Sequence, residues 1–122
     1  MPVYTVYHRS IIEVAAKAEI ASGLTSLHST VTAAQRKSVK VFFIALGRDS
    51  YFSGGEPAEE YVRVVAQIRQ GRSQDQRMRL MRGMYELVHS VVGSSDGAVE
   101  IQTQILEIDD TKTVLTNGVL ND

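Results

Sequence analysis

The chain has 122 residues, 43% hydrophobic and 22% charged, with a formal net charge of −1. It is too apolar for a disordered segment, and its length fits one domain spanning residues 1–122. With no cysteine and no basic field, the sequence excludes disulfide scaffolds, thiolate metal sites and cysteine nucleophiles and argues against a nucleic-acid partner.

No run approaches the ~18 uninterrupted apolar residues of a membrane helix. Met1 to Arg9 lacks a basic leader followed by an apolar stretch, so a soluble, cytoplasmic protein without a membrane partner is expected. Val3 to Tyr7 is β-branched and aromatic and predicts a short strand, with Pro2 at its first position, where the ring costs no ladder hydrogen bond. Ser10 followed by Glu13 has capping-box spacing. Ile11, Val14, Ala15, Ala18, Ala21, Leu24 and His28 then recur at helical spacing and predict a helix from about Ile11 to about His28. Ser29 to Thr32 reads as a loop or fraying end.

Val39 to Leu46 is the strongest strand signal, and its lack of polar alternation predicts burial on both faces. Gly47 to Pro57 reads as a loop. Tyr61 to Arg69 predicts a long strand with Val62, Val64, Ala66 and Ile68 on one face and Arg63, Val65, Gln67 and Arg69 on the other. Ser73 to Gln76 forms a second capping box. The apolar face behind it carries Met78, Met81, Tyr85 and Val88 with Leu80, Met84, Leu87 and Val91, and Gly93 stops the helix. Val99 to Ile108 predicts the last long strand, and Asn117-Gly118 a tight hairpin turn.

The order is strand, helix, strand, twice over. This predicts an α+β (α/β) fold in which duplicated β-α-β units form one four-stranded sheet with two helices on one face. Two helices cover one side only, so the bare side of Val41 to Leu46 predicts a homo-oligomer.

The candidate functional residues are few. If Met1 is removed, Pro2 presents a secondary amine. A free α-amine titrates near ~8, and burial with neighbouring cations lowers it towards the range useful for general base work. Arg69-Gln70-Gly71-Arg72 sets two guanidinium forks three residues apart beside the predicted helix start at Ser73, which suits a carboxylate. His28 is either a helix-end cap or a substrate hydrogen-bond donor. Glu107 is either a solvated acid beside Asp109 and Asp110 or a carboxylate that activates water. The histidines show no metal-ligand spacing, Gly54-Gly55 is no phosphate loop, and neither a metal nor a cofactor is expected.

Taken together, Pro2 opening the first strand, His28 ending the first helix, Arg69-x-x-Arg72 after the third strand and Glu107 late in the last strand resemble the tautomerase superfamily. The likeness is strongest to its cis-3-chloroacrylic acid dehalogenase-like branch, and includes Asp49-Ser50-Tyr51-Phe52 and Ile68 to Ser73. The resemblance implies a single tautomerase-like domain, a trimer of β-α-β repeats, and a catalytic Pro2 acting as general base or acid. It further implies Arg69 and Arg72 binding a small carboxylate substrate, His28 assisting binding and polarisation, and Glu107 activating water. The sequence departs from the dehalogenases in having no tyrosine after Tyr85. The expected activity is therefore keto–enol tautomerisation of a 2-oxo acid. Hydration or dehalogenation of a 3-haloacrylate is the alternative within the family, and a non-catalytic oligomeric anion-binding module is the alternative outside it.

Overall fold

The structure, a computed structural model, describes residues 2–93, 97–114 and 118. In β1 (Val3–His8) strict alternation buries Tyr4, Val6 and His8 and leaves Val3, Thr5 and Tyr7 half-covered. α1 (Val14–Thr32) begins later and ends later than the sequence suggests. Glu13 occupies its N-cap without a side-chain cap bond. Ser10 does not cap: its Oγ donates to Glu60 Oε2 at 2.7 Å and accepts from the Tyr61 N–H at 3.1 Å, so its hydroxyl is committed to the neighbouring strand. Ile11 and Val14 consequently stand 84% and 81% exposed. The buried stripe runs through Ile20, Leu24, His28 and Val31, and Ala15 and Ala18 face outward. The larger aliphatic side chains set the helix phase, because alanines bury too little area to compete. Ser29 to Thr32 stays helical: Val31 is buried and Thr32 Oγ1 donates to the His28 carbonyl at 2.8 Å. The helix closes on Ala33, left-handed at φ 64°.

β2 (Lys40–Ala45) lies parallel to β1 after a short 3-10 turn at Arg36–Ser38. The expected loop that follows contains a small hairpin, β3 (Phe52–Ser53) and β4 (Glu56–Pro57). Its turn, Gly54-Gly55, has φ of 61° and 82°, the double left-handed conformation that matches strand twist and that glycine adopts without steric cost. Tyr51 stacks on Tyr61 at 4.4 Å between ring centroids, joining this region to the main sheet.

β5 (Tyr61–Arg69), α2 (Gln74–Val92) and β6 (Glu100–Ile108) follow, then a 3-10 turn at Asp110–Lys112. The α2 capping box forms as expected, with Ser73 Oγ accepting from the Gln76 N–H and Gln76 Oε1 accepting from the Ser73 N–H. Gly93 is the C-cap, in extended rather than left-handed conformation. Leu80, Met84 and Val88 are buried, whereas Met78 and Tyr85 fall on the exposed side. The helices approach closely at two notches: a Cβ on Gly23 would lie 2.6 Å from Leu87 and one on Gly83 2.6 Å from Leu27.

The four long strands form one sheet in the order β2-β1-β5-β6, with parallel outer pairs and an antiparallel central pair. This is the duplicated β-α-β arrangement, with the core between the helices and Tyr4, Val6, Val64 and Ile68 of the sheet. On the opposite face β2 is an edge strand, and Phe42 and Ile44 stand 57% and 43% exposed. Within one chain, then, β2 is covered on its helix side only, contrary to the expected two-sided burial. The expected Asn117-Gly118 turn includes Asn117, which lies outside the described residues. Among the described residues no helix is long and apolar enough to cross a membrane.

Candidate active site

The antiparallel pairing of β1 with β5 sets the start of one strand beside the end of the other, and α1 ends where α2 begins. Pro2, His28, Thr32, Arg69 and Arg72 therefore converge on one cavity of about 600 Å³, completed by Ala33, Ala34 and the Lys37–Lys40 turn. Pro2 is buried, and its carbonyl accepts from the Lys40 N–H at 3.1 Å, which pins the chain start to β2. Gly71, at φ 101°, turns the backbone between Arg69 and Arg72. The cavity wall carries four cationic side chains (Lys37, Lys40, Arg69 and Arg72) and, among the described residues, no carboxylate, which gives it a positive potential. Lys40 Nζ donates to the Lys37 carbonyl at 3.2 Å.

His28 is 1% exposed, and its Nδ1 lies 2.7 Å from the Tyr4 hydroxyl. Burial, and then the positive charge of Arg72, lower its pKa to about 4, so the ring is neutral at pH 7. Arg72 Nε is buried without a hydrogen-bond partner among the described residues, and the Arg72 carbonyl accepts from Arg77. Gln76 ties the two helix ends together: its Nε2 donates to the Val31 carbonyl at 3.1 Å while its Oε1 completes the cap. The turn carrying Arg72 is thereby fixed relative to the helix end carrying His28 and Thr32.

Four of the five residues singled out from sequence thus share one cavity. Glu107 is not among its lining residues. It pairs across strands with Ile68, and its carboxylate lies 4.0 Å from Arg77. Continuing the β1–β5 register by one residue brings Pro2 beside Ile68, which leaves Glu107 two strand spacings, about 10 Å, from Pro2 on the same face. Sequence reasoning passed over Lys37, Lys40, Thr32, Arg77 and Tyr4. The signal for Tyr4 was present, since in a strand it shares a face with Pro2. Among the described residues no group of three His, Asp or Glu could hold a metal ion.

No curated protein matches the chain. Among solved structures it is similar to N1, a member of the cis-3-chloroacrylic acid dehalogenase family, with 27% identity, a TM-score of 0.83 and coverage of 98% of this chain and 84% of that one. It is also similar to the F6 fused 4-OT wild type asymmetric trimer, with 21% identity, a TM-score of 0.82 and coverage of 96% and 94%. A third similar structure is Pt0534 inactivated by 2-oxo-3-pentynoate, with 16% identity, a TM-score of 0.83 and coverage of 96% and 94%. The family described as putative oxalocrotonate tautomerase enzyme matches residues 1–119, and the chain belongs to that family within the tautomerase superfamily.

Proposed function

We propose that this protein is an enzyme that uses Pro2, freed by removal of Met1, for acid–base chemistry on small 2-oxo carboxylates, most directly keto–enol tautomerisation. The observation that carries this reading is the single cavity lined by Pro2, His28, Arg69 and Arg72. Arg69 and Arg72 hold the substrate carboxylate. Pro2 removes the α-proton; its burial and the four surrounding cations favour the neutral amine this requires. Neutral His28 donates to the oxygen on which enolate charge develops, and the guanidiniums stabilise that charge. The protonated amine then delivers the proton to the enolate oxygen to give the enol, and the same two transfers in reverse ketonise an enol substrate.

A second reading, hydration or dehalogenation of a 3-haloacrylate, is favoured by the likeness to N1. It uses a cationic Pro2 as acid and Glu107 as the base for water. The pairing of Glu107 with Arg77, its place outside the cavity wall and the lack of a tyrosine after Tyr85 weigh against it. The working form in either reading is a homotrimer, in which the exposed Phe42 and Ile44 face is covered by another copy; the fused 4-OT structures of the same fold include named trimers.

Pro2→Ala, assayed on paired enol 2-oxo acid and 3-haloacrylate substrates with Met1 removal checked by mass spectrometry, tests both readings. The variant keeps a primary α-amine in place of the rigid secondary one, so the expected loss is about 10²-fold in kcat, the low end of the range for general acid–base catalysis. Full activity in Pro2→Ala overturns the mechanism, and a wild-type protein that turns over neither substrate leaves the non-catalytic anion-binding module.

A further inference from the structure

We infer that Tyr4 is a positioning residue that fixes the tautomer of His28, its O–H donating to Nδ1 so that Nε2 carries the proton and serves as the ring's donor to the cavity. Tyr4 is 0% exposed and His28 1%, and the two rings meet edge-on at 5.6 Å and 83°. The hydroxyl and Nδ1 are 2.7 Å apart, on residues 24 positions apart in sequence, so the bond joins β1 to α1 across the core.

The direction of that bond follows from counting protons. A phenol has one proton to place, and burial pushes the Tyr4 pKa up, which keeps that proton on oxygen. Among the described residues Nδ1 is the hydroxyl's partner. If Nδ1 were the donor, the phenolic proton would be buried without an acceptor, a costly arrangement. If the ring were cationic, both nitrogens would donate and the same proton would again be stranded. Burial and Arg72 also disfavour the cation. One arrangement leaves no orphan: Tyr4 O–H to Nδ1, with the proton on Nε2.

This matters for the site because His28 contributes to the cavity wall and one of its two nitrogens is already used. A ring with its proton on Nε2 offers a donor to a substrate oxygen; the other tautomer offers a lone pair, which repels an enolate. β1 and the residue that precedes it thus carry two parts of the device, Pro2 in the cavity lining and Tyr4 against the histidine, two residues apart.

The inference deepens the proposed function and rests on it for the role of Nε2–H, but the tautomer itself can be read on substrate-free protein. The test is a long-range ¹H–¹⁵N spectrum of the full chain at pH 7, in which protonated and bare ring nitrogens have separate ¹⁵N shifts. Wild type is expected to show His28 with a bare Nδ1 and a protonated Nε2. Tyr4→Phe, which keeps the ring and removes the hydroxyl, is expected to populate the other tautomer and to lower kcat roughly tenfold, the scale of one neutral hydrogen bond, with KM changed less than twofold. A wild-type spectrum with the proton on Nδ1 overturns the inference and needs no variant. So does a folded Tyr4→Phe that keeps both the wild-type tautomer and the wild-type kcat. A chain that turns over no 2-oxo acid defeats the proposed reaction, whereas the spectra still decide the tautomer.

Discussion

The central strand pair has two ends built on the same backbone plan, a strand start beside a strand end with a helix terminus on either side. They have been put to opposite uses. At one end Pro2, His28, Arg69 and Arg72 surround an open cationic cavity. At the other several polar groups bond one another: Ser10 bonds Glu60 and the Tyr61 N–H, the Arg9 N–H donates to the Tyr61 carbonyl at 2.8 Å, and His8 Nδ1 donates to the Ser10 carbonyl at 2.9 Å, while His8 Nε2 and Arg9 Nε are buried without a hydrogen-bond partner among the described residues. Duplication supplies two equivalent positions for a site. Side chains distinguish the two, by gathering Lys37, Lys40, Arg69 and Arg72 around a cavity at one end and joining Ser10, Glu60 and Tyr61 by hydrogen bonds at the other.

The sharpest way to break this comparison is to remove charge from each end in turn. Arg69→Ala and Arg72→Ala are each expected to lower kcat/KM roughly 10- to 100-fold, the range for one charge-assisted hydrogen bond to substrate. Arg9→Ala at the closed end is expected to leave kcat/KM within twofold. Equal losses at both ends would contradict the assignment of the open end.

The next effect concerns pH. The folded pKa of His28 lies at about 4, below the ordinary value of about 6.5. Between those values the unfolded chain binds a proton that the folded chain refuses, so stability present above pH 6.5 is lost as pH falls towards 4 and the loss then levels off. The shift corresponds to about 3 kcal/mol over that window. Urea midpoints at pH 7 and pH 4.5 check it. His28→Gln, with nothing to titrate, is expected to flatten this part of the profile, and an unchanged slope would contradict the buried neutral histidine.

Smaller again is the closed end itself. Ser10→Ala is expected to cost about 1–2 kcal/mol of stability by orphaning the Tyr61 N–H, with kcat/KM unchanged. Gln76→Ala, which removes half of the α2 cap and the tie to Val31, is expected to cost about 1 kcal/mol and also to raise KM, because it loosens the turn that carries Arg72. A rise in KM from Ser10→Ala would blur the distinction between the two ends.

Much of this is legible in the amino-acid sequence. The second half followed its local signals closely: the bounds of β5, the Ser73–Gln76 box and the α2 stop at Gly93 all formed as the residues suggested. In the first half β1 and β2 also formed within a residue of their signals, but α1 did not begin at its apparent cap, and the reason is tertiary. Ser10 had the spacing of a cap, but Glu60 and the Tyr61 N–H, fifty residues away, hold its hydroxyl. The Gly54-Gly55 turn was hidden because strands of two residues have too little pattern to register. At the site, residue types with unusual chemistry stood out, whereas Lys37 and Lys40 looked like ordinary surface charge until the turn at Arg36–Ser38 brought them to the cavity wall.

The most direct test of the central claim is to ask which nitrogen the cavity makes reactive. 2-Oxo-3-pentynoate pairs a carboxylate for the arginines with an alkyne, activated by the adjacent ketone, that a neutral amine attacks. Incubation with the Met1-free protein and peptide mass spectrometry is predicted to find one label on Pro2, and to find it much slowed in the Arg69→Ala/Arg72→Ala double variant. Labelling of Lys37 or Lys40 with Pro2 unmodified, or no labelling at all, would contradict the account.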